Sequence, residues 1–226
     1  MLYRIGSARH DEKGKLTGGA VGDNNGHEVE IQDFYIHSKG WIVLRAKRDL
    51  KKIGERMIAA CQNNNIGYDQ SNRLGVCKYG IDTKIKTECD CSALVRQCIK
   101  EALGVDVGNF TTSNERKVLV NSGLFDDFEY SNEKLYVGDI LVTKTKGHTV
   151  VVVESPWSVV YPEYYPRYTG KGTSLVSALA TVGEKDTSFS HRKKIAWANG
   201  ITNYSGTAAQ NIALVDLLKA GKCIKK

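Results

Sequence analysis

The chain has 226 residues, 41% of them apolar, with 32 lysines and arginines against 25 aspartates and glutamates and a net charge of +7. That size allows one ordinary domain plus a small second one, and the apolar share is enough for a real core. No run approaches the roughly 18 to 20 consecutive apolar residues of a membrane span, and the opening MLYRIGSARHDEKGK lacks the apolar centre of a secretory signal. Membrane insertion is therefore not expected, and the expected location is the cytosol in which the chain is made.

The charge is unevenly placed. Met1 to Pro166 carries 22 basic and 22 acidic residues, whereas Arg167 to Lys226 carries 10 and 3, so the whole +7 excess lies in the last quarter. A neutral body with a basic tail module points to an anionic polymer as that module's partner. The six cysteines, Cys61, Cys77, Cys89, Cys91, Cys98 and Cys223, read mostly as buried thiols, because the chain is neither short nor visibly secreted.

In chain order, the first 48 residues mix glycine-rich turns with short apolar runs such as Trp41 to Leu44, which predict loops and one or two strands. Leu50, Ile53, Met57, Ala60 and Cys61 recur at helical spacing and predict a helix. A second helix is predicted from Cys91 to Leu103, with Leu94, Val95, Cys98, Ile99, Ala102 and Leu103 on one face and Gly104 as its stop. A shorter helix follows Thr112, with Glu115 three residues on in a capping-box pattern. Leu135 to Val142 and Thr149 to Glu154 are rich in β-branched residues and flank the turn-like TKTKGH, which predicts an antiparallel hairpin.

The segment SPWSVVYPEYYPRYT, residues 155–169, holds all three prolines and reads as a linker. Beyond it, 174–182, 189–198 and 207–220 show helical spacing punctuated by Gly183, Gly200 and Gly221, as in a three-helix module. The expected organisation is a first domain over 1–154, a linker over 155–169 and a small all-α domain over 170–226.

Chemistry concentrates at Asp90-Cys91-Ser92, immediately before an amphipathic helix, and at Gly147-His148-Thr149, leading into a run of valines. A thiol is a strong nucleophile as thiolate, and a helix N-terminus favours the anion through its free N–H groups and dipole. An imidazole packed nearby could take the thiol proton and return it to a leaving amine. With Gly138-Asp139-Ile140-Leu141 between them, the segments ECDCSALVRQCIKEALG and GDILVTKTKGHTVVVVE resemble the papain-like NlpC superfamily of cysteine peptidases, and within it the bacteriophage peptidoglycan hydrolases typified by pneumococcal phage amidases. The resemblance covers roughly Ile53 to Glu154.

That resemblance implies an α+β domain, an antiparallel sheet packed on the nucleophile helix, that cuts an amide bond of peptidoglycan. Cys91 would be the nucleophile and His148 the base, with no cofactor and no metal. The backbone at the nucleophile would hold the oxyanion, placing Asp90 and Ser92 at the site, and Tyr68 of Gly67-Tyr68-Asp69-Gln70 matches a tyrosine that lines it. The superfamily's orienting residue falls about a dozen positions after the histidine, where this chain has Val160; Asp23 and Glu28, or a backbone carbonyl, are the candidates in its place. A zinc site through Cys89, Cys91 and His148 would need a second spaced pair that Cys61 and Cys77 do not supply.

The C-terminal segments RKKIAWANGITNYSGTAAQN and LLKAGKCIKK resemble small wall-binding modules of endolysins from phages of Firmicutes. Arg192, Lys193 and Lys194 cluster with Phe189 and Trp197, a combination that could hold wall phosphates and stack on sugars. The expected partners are peptidoglycan and an anionic wall polymer, with release from the host cytoplasm to the wall through a holin. The rival reading is a non-catalytic nucleic-acid-binding protein, which leaves Cys91 and His148 unexplained.

Overall fold

In a computed structural model the described residues are 3–24, 27–158 and 162–226. The middle of the expected linker, Val160 included, lies outside them. Two compact units make up the chain, Met1–Val159 and Val160–Lys226. Among the described residues no helix is long and apolar enough to cross a membrane.

The first unit is built on a six-stranded antiparallel sheet. Its strands are β1 (Arg4–Ala8), β2 (Val29–Asp33), β3 (Trp41–Ala46), β6 (Phe125–Glu129), β7 (Ile140–Thr143) and β8 (Thr149–Glu154), in the order β2-β1-β8-β7-β3-β6. A separate parallel pair is formed by β4 (Ile66–Tyr68) and β5 (Thr87–Cys89). The helices are α1 (Leu50–Gln62), α2 (Gly75–Tyr79), α3 (Cys91–Leu103) and α4 (Glu115–Asn121). This is an α+β unit.

Strand β8 reads TVVVVE rather than alternating because both faces of the sheet are covered. On one face α1 and α3 pack together against β1 and β8, α1 through Leu50, Ile53, Met57 and Ala60. On the other, Ile5, Trp41, Val43, Leu141, Val150 and Val152 form a core flanked by Tyr3, Phe34, Tyr35, Phe128 and Tyr130. Gly138 has φ +98°, and a Cβ there would fall 1.8 Å from the Leu50 carbonyl oxygen, so only glycine lets the chain pass the start of α1. The adjacent Asp139 is fully buried and accepts from Arg45 Nε at 2.8 Å, Arg45 Nη2 at 2.6 Å and the Tyr136 N–H at 2.8 Å. The GDI segment thus closes the fold, tying the start of β7 to Arg45 and to the start of α1.

Several elements differ from the sequence expectation. Strand β7 begins at Ile140, because the Asp139 pairing turns the chain before it. The first 48 residues supply β1, β2 and β3 rather than one or two strands. Helix α4 is capped by neither Thr112 nor a capping box; Asn114 precedes it without a side-chain cap, and Glu115 points into the core.

The second unit has three helices, α5 (Leu175–Thr181), α6 (Phe189–Ala198) and α7 (Ala208–Ala220). Ser174, Ser188 and Thr207 accept the first free N–H groups, and Thr207 with Gln210 completes a capping box. Leu175, Leu179, Ile195, Leu214 and Leu218 form the core together with Tyr165 and Tyr168. Those two tyrosines fall within the expected linker, yet Tyr165 N–H donates to the Cys223 carbonyl and Tyr168 N–H to that of Leu218. The end of the proline-bearing segment is therefore part of this unit, since its aromatic rings find a core to fill.

Candidate active site

Asp90 has extended backbone geometry and caps α3, its Oδ1 accepting the Ala93 N–H at 2.7 Å. Cys91 is the first helical residue and its side chain is almost wholly buried. The backbone N–H groups of Thr149 and Ser92 lie near enough to its sulfur to favour the anion. Thr149 opens β8 directly after His148, so the packing of β8 on α3 brings the histidine segment to the thiol.

The electrostatics depart from the expectation of a helix-activated thiolate. Burial, followed by the neighbouring carboxyls of Asp90 and Glu115, pushes the Cys91 thiol up to about 12, outweighing the two N–H groups that favour the anion. Burial, with Arg9 and His37 adding positive charge, holds the His148 imidazole down to about 4. Both groups are neutral at physiological pH. His148 Nε2 lies 3.3 Å from Ser7 Oγ on β1.

Tyr68 is buried at the end of β4, beside Cys89 in register and close enough to Cys91 for the sulfur to help raise its phenol, after burial. Its N–H donates to Glu28 Oε2 at 2.6 Å. Glu28 contacts Tyr68 and Asp23, and neither carboxylate has a hydrogen bond to the imidazole among the described residues. The side chains of Asp90 and Ser92 are engaged with Arg73, whose Nε donates to Asp90 Oδ2 at 2.6 Å and Nη2 to Ser92 Oγ at 2.9 Å. They brace the helix start rather than offer a free group to a substrate. All six cysteines are free, and Cys89 is fully buried with its Sγ donating to the Gly67 carbonyl at 3.4 Å.

Sequence reasoning missed four residues here. Glu115 is fully buried, its Oε1 accepts the Thr149 hydroxyl at 2.8 Å, and burial pushes its carboxyl up to about 8. Arg73 and Ser7 sit in unremarkable local sequence. Tyr35 is close enough to Cys91 for the sulfur to raise its phenol, behind burial and against Arg9. Only the capping-box spacing marked Glu115, and it suggested the wrong partner. Beside the β7–β8 turn, a cleft of about 360 Å³ is lined by Thr112, Arg116, Lys117, Lys144 and Lys146 among others. Arg116 and Lys144 are paired with Asp127 and Glu129, while Lys117 and Lys146 have no ion pair among the described residues.

In the second unit, Lys193 and Lys194 are exposed and Trp197 is 66% exposed on α6. Arg192 is turned inward, donating to the Thr187 carbonyl and to the Tyr204 hydroxyl at 2.9 Å.

A buried thiol at a helix start, with a histidine directly before a neighbouring strand of an antiparallel sheet, defines an α+β unit arranged around one candidate nucleophile. Residues 5–158 match the family described as the Endolysin-like domain, and the chain belongs to that family. An L-alanyl-D-glutamate peptidase of Listeria phage A118 is 62% identical over 37 residues, a stretch covering 16% of this chain and 13% of that relative. No solved structure gives a significant match.

Proposed function

We propose that the first unit hydrolyses an amide bond of bacterial peptidoglycan, muramoyl to L-alanine or within the stem peptide, by a Cys91–His148 mechanism of the papain-like NlpC kind. The observation that carries this is the packing of β8 on α3, with Cys91 opening the helix and His148 directly before the strand, so that the Thr149 N–H comes near the sulfur. Membership of the Endolysin-like domain family supports the substrate class. The A118 relative, matched over 37 residues, is by its name an L-alanyl-D-glutamate peptidase, so the stem-peptide bond stands beside the muramoyl bond in the test.

In this reading the neutral imidazole takes the thiol proton as the sulfur attacks the carbonyl carbon. Charge on the carbonyl oxygen is met by N–H groups at the start of α3. Collapse breaks the C–N bond, His148 returns the proton to the leaving amine, and water then hydrolyses the thioester. Lys117 and Lys146 give the cleft beside the β7–β8 turn, which is lined by neither Cys91 nor His148, the charge to receive stem-peptide carboxylates. Mass spectrometry of digested muropeptides tests the reading. One new amine and one new carboxylate at a single amide are expected, and intact muropeptides with no cleared band in a wall zymogram would sink it.

We further propose that the second unit binds an anionic wall polymer through Lys193, Lys194 and Trp197, with Arg192 serving the unit's own structure. Such attraction is screened once the Debye length falls below about 8 Å. Sedimentation with purified walls should therefore weaken as salt rises, and weaken further when Lys193 and Lys194 are changed to Gln. Binding indifferent to both changes would point to a neutral ligand, and a salt-dependent shift of duplex DNA without wall binding would restore the nucleic-acid reading. On this proposal the chain acts at the wall after release from the host cytoplasm.

A further inference from the structure

Away from the thiol, the glycine-rich N-terminal region places carboxylates together. Glu12, Asp23 and Glu28 each bring one oxygen, and the three oxygens lie within 4.8 Å of one another. Glu88 borders them: a Cβ added to Gly67 would come within 2.9 Å of Glu28 Oε2 and 3.3 Å of Glu88 Oε2. Glu28 is 1% and Glu88 2% exposed. Glu28 Oε1, Glu88 Oε2 and Asp23 Oδ1 are all buried without a hydrogen-bond partner. Among the described residues no lysine, arginine or histidine pairs with Asp23, Glu28 or Glu88, and Glu12 meets only Lys13, at 3.4 Å.

Buried acceptors left open in this way cost stability. Carboxylate oxygens crowded this closely repel one another unless a proton or a cation lies between them. The donors are all oxygen, which disfavours zinc and other soft ions and suits a hard divalent cation. They come from a loop and from irregular positions, a geometry that calcium, with 6 to 8 ligands at variable angles, accepts more readily than octahedral magnesium.

We propose that Glu12, Asp23 and Glu28, with Glu88 beside them, form a calcium-class cation site. The sequence reading expected no metal, because these residues are scattered along the chain and converge only in the fold. The site ties the N-terminal loop to the strand pair that leads into the nucleophile helix. Glu28 Oε2 holds the Tyr68 N–H on β4, and Glu88 Oε1 on β5 accepts the Gly22 N–H at 3.1 Å. Strand β5 ends at Cys89, two residues before Cys91. Cation binding would therefore stiffen the wall of the site that carries Tyr68.

The test uses the full chain, stripped with a chelator and exchanged into chelator-free buffer, with calorimetry and thermal melts in CaCl2, MgCl2 and MnCl2 up to about 10 mM, above the weakest calcium affinities proteins use. Calcium is expected to bind with a stoichiometry of one and to raise the melting temperature of the first unit by roughly 5 to 10 °C at a hundredfold excess over Kd. Glu28→Gln keeps an acceptor for Tyr68, and Asp23→Asn keeps the loop's shape. Each should melt higher than the unaltered chain without cation and lose the calcium shift. No binding of any of the three ions by the unaltered chain overturns the proposal whatever the variants do, as does a calcium shift that survives in both. Higher melting of the variants with no ion response would show instead that the carboxyls share protons.

Discussion

Cys91→Ala is expected to abolish wall lysis while leaving the protein folded. The substitution removes one sulfur from a helix start whose cap, Asp90 to Ala93, and whose brace, Arg73, do not involve it. The packing lost is small, about 1 kcal/mol for one buried atom group, so the melting temperature should fall by a few degrees at most. Cys89→Ala is the matched control, since Cys89 is fully buried and its sulfur meets the Gly67 carbonyl. Turbidity assays on walls and thermal melts of both variants decide the matter. A dead Cys89 variant beside a Cys91 variant that still turns over would place the nucleophile elsewhere.

His148→Ala should lower the rate by at least two orders of magnitude, the usual scale for losing a positioned general base. The effect should carry a pH signature. With the imidazole held at about 4, the base stays deprotonated well below the ordinary histidine range, so the acid limb of the activity profile should lie below pH 6.5. For stability, the folded pKa is below the unfolded one, so the unfolded chain binds more protons between about pH 6.5 and 4. His148's contribution is therefore fully present above 6.5 and lost as pH falls toward 4. The alanine variant should show a shallower stability decline over that window. Because Cys91 is pushed up to about 12, its alkylation by iodoacetamide at neutral pH should be slow, and slower still without His148. An unchanged alkylation rate would show that His148 does not activate the thiol.

Much of the framework was legible where one periodicity ruled a long stretch. The face Leu94 to Leu103 marked α3 to its ends, and Ser174, Ser188 and Thr207 stand at caps where the helical spacing begins. Legibility failed where charge or brevity hid the pattern. Strand β6 reads FDDFE, and β4 and β5 have three residues each. Cys91 and His148 were visible because helix start and strand start are local signals. Their surroundings were not, since Ser7, Tyr35, Arg73 and Glu115 arrive through tertiary packing that no spacing encodes. The expected thiolate failed for a related reason: a helix dipole can be read from sequence, but the desolvation that outweighs it belongs to the closed core.

The seating of β1 between β2 and β8 has a consequence for how the molecule comes into being. The first strand made pairs with the last, and Ser7 meets His148 across 141 residues of chain. At bacterial translation rates Ser7 waits on the order of ten seconds before its partner leaves the ribosome. Until then β1 and β2 can form only a hairpin, which is marginal by itself in water. Contacts this distant make folding slow and late. A nascent or prematurely ended chain therefore lacks the histidine pocket altogether, and the site comes into existence only with the closing of the entire sheet.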